Sequence, residues 1–194
     1  EGSTPQGLPF GETVLLPSND APGNSLADTL DVVVDDTWQM SDGMLASLVD
    51  AAQGVLVDVD VDVVEGQQIV VGAGDGQLLN GAQAVAFATY LGDGEAEESR
   101  LARFSQVLDQ LTQRLPDDRA ALVQALEASG ATNRATLDVE SLADFLLGYG
   151  DLSRSGDASY QTLPVDTLET GGPVPSLIVD PEGLERLRER LIAL

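Results

Sequence analysis

The sequence predicts an α/β fold: a single three-layer domain with a central mixed sheet flanked by helices. Two observations predict it. Short apolar runs of strand length alternate with longer segments whose apolar residues return every three or four positions, without an internal repeat. A length of 194 residues with 43% apolar content is also enough for one well-filled core.

Taken in order, residues 1–24 are rich in Gly, Pro and Ser and read as a linker or loosely docked N-terminal arm, with a short strand at 13–16. Residues 25–194 form the α/β domain. The apolar run 30–34 reads as a buried strand. Ser41 or Asp42 caps a helix through Ala52, on which Met44, Leu45, Leu48 and Val49 share a face, and Gly54 marks its stop. Residues 55–63 alternate Val and Asp, the period of a half-buried strand. Residues 69–71 are the next strand and 72–76 a Gly-rich turn. Periodicity predicts helices over 80–91, 98–115, 117–129 and 138–147. Strands follow at 160–165 and 176–179, and Asp180-Pro181-Glu182 opens a last helix with cap, proline and acid in their favoured places.

Charge sets the strongest bound on function. The chain carries 33 acids against nine Arg and no Lys, a formal charge of −24. Arg100 is the first basic residue. Such a field repels nucleic acid and anionic lipid surfaces, and reads as a solubilising or salt-adapted surface. Without Cys there is no disulfide framework or thiol nucleophile, and without His the commonest general base and transition-metal ligand are missing. No apolar run approaches the roughly 18 residues that a membrane span needs.

Four constellations could carry chemistry. Arg100 and Arg103, three apart at a helix start, could grip a phosphate at the positive helix end, or pair with the local acids Glu95, Glu97 and Glu98. Asp58, Asp60 and Asp62 could hold a hard cation, or form a solvated strand face. Their spacing is not that of an EF-hand, because Val63 and Ile69 stand where Gly and Glu are needed. Gly72-Ala73-Gly74-Asp75-Gly76-Gln77 places Gln77 at the third glycine of a dinucleotide fingerprint and reads as a tight turn. Arg186, Arg188 and Arg190 can pair with Glu182, Glu185 and Glu189 on a solvated helix face.

The stretch 79–111 resembles the second half of a LytR-CpsA-Psr domain. In that family a Leu-Asn-Gly-x-x-Ala helix start leads through an Arg-x-Arg pair and an acidic loop to Arg-x-x-Arg-Gln and a long helix. Leu79, Asn80, Gly81, Gln83, Ala84, Arg100, Arg103 and Leu108 fit that pattern. Upstream, 36–42 and 48–59 resemble the family's helix and its strand ending in Val-Asp-Ala-x-Gly-Gly-Val-x-Val. Thr89 and Leu91 stand where the Arg-x-Arg pair would be, Ala102 and Phe104 flank Arg103, and the Pro-Arg-Asp loop has no clear counterpart, its nearest candidate being 14–20. The resemblance implies the fold and an extracytoplasmic setting at the cell envelope, held by a membrane anchor outside this chain. It further implies a polyprenyl-phosphate lipid or envelope glycopolymer as partner. The departures imply a catalytically degenerate member that needs no cofactor. An active relative would be a Mg²⁺-dependent glycopolymer phosphotransferase with Arg100, Arg103 and an acid such as Asp20 at its centre, and a third reading is a cation-loaded structural module.

Overall fold

The computed structural model describes residues 21–129, 134–158, 165–168 and 176–192. These run α1 (Ala21–Leu30), β1 (Trp38–Gln39), α2 (Asp42–Ala51), β2 (Val55–Val59), β3 (Val63–Glu65), β4 (Gln68–Val71), β5 (Gly74–Leu79), α3 (Gly81–Thr89), α4 (Glu97–Arg114), α5 (Arg119–Ala128), β6 (Arg134–Ala135), α6 (Val139–Ser155), β7 (Val165–Leu168), β8 (Ser176–Val179) and α7 (Pro181–Ile192). The chain divides into two compact units, Trp38–Ser159 and a second built from Glu1–Thr37 with Tyr160–Leu194.

The architecture mixes α and β as the sequence predicts. In place of one continuous mixed sheet, the described strands form four antiparallel two-stranded ladders: β1–β6, β2–β5, β3–β4 and β7–β8. In the larger unit β2 to β5 make a single long hairpin. The chain goes out along β2 and β3 and returns along β4 and β5, with Val55 opposite Leu79 and Glu65 opposite Gln68. Val55, Val57, Val59, Val63, Val71 and Leu79 face the core, while the aspartates between them face out. That alternation is the period-two pattern of the sequence turned into one wet and one dry face.

Helices cover the dry face with residues at helical spacing. Met44, Leu48 and Val49 of α2, Ala84 and Phe87 of α3, and Val107 and Leu111 of α4 join Leu122 and Leu126 of α5 and Leu142 and Leu146 of α6 in one contiguous core. Side-chain caps fix where several helices begin. Ser41 accepts from the Met44 amide, Asp118 from Ala120 and Asp138 from Ser141, each satisfying a donor that the first turn leaves free.

In the smaller unit β7 pairs with β8, Val165 opposite Val179. Asp180 caps α7, accepting from the Gly183 amide at 2.8 Å, as the Asp-Pro-Glu signature predicts. Arg186 pairs with Asp180 and Glu182, and Arg188 with Glu185, the solvated pairing expected of this helix. Arg188 also donates to the Thr29 carbonyl at 2.5 Å, tying α7 to the end of α1.

Several expectations need correction. Residues 30–34 are not a buried strand: Leu30 closes α1, Asp31 takes a left-handed backbone (φ 56°), and Val33 is 86% exposed. Residues 21–24 open α1, and 1–20 fall outside the described residues. The strand expected over 55–63 breaks at 60–62, between β2 and β3, and the ladder register shifts on either side of the break, between Val57 and Val59 and between Val63 and Val64. Of the turn expected over 72–76, residues 74–76 instead open β5, which is hydrogen-bonded to β2. The helix predicted to end at 147 continues to Ser155, because Leu146 and Gly150 keep its buried face going. Of the strand expected over 160–165, only Val165 is described.

Candidate functional site

The Leu-Asn-Gly start of α3 is built for packing. Leu79 is buried at the end of the hairpin. Asn80 and Gln83 form a reciprocal capping box, each side chain accepting from the other's backbone amide. Gly81 donates its amide to Asp50 at 2.7 Å. A Cβ on Gly81 would lie 2.2 Å from the Ala46 carbonyl oxygen, so only glycine allows α2 and α3 to approach this closely. The motif therefore sets the angle at which α3 leaves the hairpin, and with it the position of the loop that leads to α4.

That loop and α4 deliver Arg103 into the centre of the site. Arg103 shares the buried stripe of Val107 and Leu111 and is 3% exposed, the one charged residue among the buried side chains described. Its guanidinium forks two carboxylates. Nε and Nη2 donate to Asp60 at 2.9 and 2.8 Å, and Nη1 and Nη2 donate to Glu95 at 2.9 and 2.6 Å. Nη1 also donates to the Tyr90 carbonyl at 3.0 Å, and the guanidinium lies 5.5 Å from the Tyr90 ring centre. A guanidinium has five N–H donors, and these five contacts engage them all. The Glu95 carboxylate also closes its own loop by accepting from the Gly92 amide at 2.7 Å. One positive charge thus joins the break in the hairpin, the loop after α3 and the first turns of α4.

The electrostatics follow. Hydrogen bonds from Arg103 hold the Asp60 and Glu95 carboxyls below their ordinary range, and the two carboxylates raise the Arg103 pKa above its ordinary value. With two negative charges on one positive, the cluster as a whole repels an added anion.

Arg100, the other phosphate candidate, does not converge on the same point. It turns to Glu97 one turn back, with Nε 2.7 Å from the carboxylate and Nη2 also donating to it. The three strand aspartates are likewise separated. Asp58 accepts from the Gly76 amide at 2.7 Å, Asp62 from the Ala73 amide at 2.7 Å, and Asp60 belongs to Arg103. Among the described residues no group of three or more acids is arranged to hold a metal ion. Thr89 closes α3, donating its hydroxyl to the Val85 carbonyl at 2.8 Å, and Leu91 is exposed beyond it. The nearest candidate for a Pro-Arg-Asp loop, 14–20, lies outside the described residues, Asp20 with it. No described helix is long and apolar enough to cross a membrane.

The partnership of Asp60 with Arg103 escaped the sequence, since 43 residues separate them. One signal was present: an arginine at the first position of the buried 103, 107, 111 stripe must bring its own counter-charges inside.

The chain shares its fold with solved structures that include LytR-CpsA-Psr proteins, as the sequence resemblance implies. The chain is similar to the crystal structure of B. subtilis TagV, at 18% identity over 95% of this chain and 73% of that one, with a TM-score of 0.68. It is similar to TagT bound to LI-WTA, at 16% identity over 95% of this chain and 70% of that one, TM-score 0.68. It also matches a transcriptional regulator from Enterococcus faecalis, at 20% identity over 95% and 68%, TM-score 0.71. No family model matches the chain, and no curated protein matches its sequence.

Proposed function

We propose that this chain is an extracytoplasmic, cell-envelope module that binds or scaffolds cell-wall glycopolymer without transferring it. The observation that carries this reading is the engagement of Arg103. Transfer from a polyprenyl-pyrophosphate donor builds negative charge on the leaving group, and catalysis needs preorganised cations there. Arg103 has no donor left for a phosphate, Arg100 is held by Glu97, and Thr89 and Leu91 take the places of the family's paired arginines. The fold of TagV and TagT, and the LI-WTA bound to TagT, support a lipid-linked wall glycopolymer as the ligand class. The −24 charge argues against nucleic acid, whatever the regulator from Enterococcus faecalis does.

The test is incubation of the protein with LI-WTA and Mg²⁺, reading glycopolymer transfer and, separately, binding by calorimetry. The expected result is saturable binding with no transfer. Turnover that disappears in Arg100→Ala promotes the transferase reading, and absence of binding refutes the role as a glycopolymer module.

A further inference from the structure

We infer that the exposed face of α6 is a docking surface for a basic amphipathic helix of a partner protein. Phe145, Gly148, Tyr149 and Leu152 stand at i, i+3, i+4 and i+7, so they form one stripe along two turns. Phe145 is 53% exposed and Leu152 49%. The Phe145 and Tyr149 rings stack on each other, with centroids 5.9 Å apart and planes 22° from parallel. An adjoining face of the same helix, Leu142, Ala143 and Leu146, fills the core; Tyr149 at its edge is half-buried, while Phe145, Gly148 and Leu152 lie beyond it in the open.

Gly148 points the same way. A glycine in the middle of a helix is unfavourable and needs a reason. Gly150 has one, since a Cβ there would lie 3.4 Å from the Leu115 Cβ and 3.3 Å from Arg154. At Gly148 a Cβ would meet nothing within 4 Å. Among the described residues nothing fills the notch between Phe145 and Leu152, and it has the shape that lets another helix come close.

Charge selects the occupant. Residues 138–157 carry five acids, Asp138, Glu140, Asp144, Asp151 and Asp157, against the single Arg154. Burial, together with the charge of Asp109 on α4, pushes the Tyr149 phenol up. Arg119 and Arg154, the cations that touch this rim, are already paired with Asp144, Asp117 and Asp151. An acidic rim around an apolar stripe disfavours an anionic bilayer and disfavours a second copy of a −24 chain. It fits a helix with Leu-like residues on one face and Lys or Arg along its flanks. The inference is independent of the glycopolymer reading.

The experiment uses the full chain and a fluorescent Lys/Leu peptide whose leucines recur at helical spacing, at physiological ionic strength, read by anisotropy. A scrambled peptide of the same composition keeps the charge and loses the face. The expected result is saturable binding, weakened about tenfold by scrambling and about tenfold by Phe145→Ser with Leu152→Ser, positions exposed enough to leave the fold intact. Gly148→Gln separates docking from folding: it should raise the melting temperature, because helix propensity improves in open space, yet weaken the peptide. Equal binding of the scrambled peptide, unchanged binding by either variant, or self-association or vesicle adsorption that depends on Phe145 in place of peptide binding would overturn the inference.

Discussion

Replacing Arg103 with Met is the sharpest test of the site. Methionine keeps the length and flexibility of the side chain and removes the charge. Deleting one partner of a fully buried ion pair costs about 3–5 kcal/mol, mostly from the charge left behind. Here the guanidinium is 3% exposed, but Asp60 is 55% exposed and Glu95 25%, so both abandoned carboxylates can return to water. The loss should therefore sit near the lower end, about 3 kcal/mol. For a chain of this size that is a fall of roughly 6–12 °C in melting temperature. The single tryptophan, Trp38, is partly buried against the core of the same unit, so urea unfolding followed by its fluorescence reads the relevant transition. The midpoint should fall while the slope stays constant, the mark of a stability change without a change in the unfolded state. A loss below about 1 kcal/mol, typical of surface pairs, would refute the reasoning and return Arg103 to the pool of ligand-binding cations.

The remaining predictions follow from the same geometry. Gly81→Ala should destabilise by about 2–3 kcal/mol, at the upper end for overpacking, because the clash is with rigid Ala46 backbone; thermal unfolding measures it. Millimolar Ca²⁺ should show no saturable calorimetric isotherm, since Asp58, Asp60 and Asp62 answer to three different donors. Asp60→Asn should destabilise although it removes one of three like charges, because it takes a carboxylate from Arg103; a melting temperature equal to or above wild type would contradict this. Added NaCl at neutral pH should raise the melting temperature, since residues 1–99 hold 18 acids and no base. In acid the sign reverses for the paired groups. Asp60 and Glu95 have lowered folded-state pKa values, so their contribution is complete above about pH 4–5 and is lost as pH falls through those lowered values. Arg103→Met should flatten that acid limb of the stability profile.

What the sequence revealed was local, and what it hid was not. The Ser41 and Asp180 caps and the 3–4 spacing of α2 to α6 were legible because each acts within a turn or two of helix. Arg100 with Glu97 was legible for the same reason. Residues 30–34 resemble a strand in the sequence because four apolar residues in five carry no period that separates a strand from a helix end. The glycines of β5 imitate a turn, and only pairing with β2 makes them a strand. Asp60 looked like one of three equivalent aspartates until the break in the hairpin turned it toward α4. No spacing rule reaches across the 43 residues that this contact spans.

The Arg103 cluster also explains how so acidic a chain keeps this fold. Packing the hairpin, the loop at 90–96 and α4 together brings Asp60 and Glu95 to one place, where their mutual repulsion would be strong in a partly dry setting. A cation buried between them turns that repulsion into the contact that holds the three segments. The consequence for ligand binding is direct. A phosphate could reach Arg103 only by displacing a carboxylate that is bidentate, already charged and tethered to the same unit, and the displaced acid would remain beside it as a repelling charge. The arginine that stabilises the fold is thereby withdrawn from anion chemistry, and recognition of a glycopolymer must rely on groups outside that cluster.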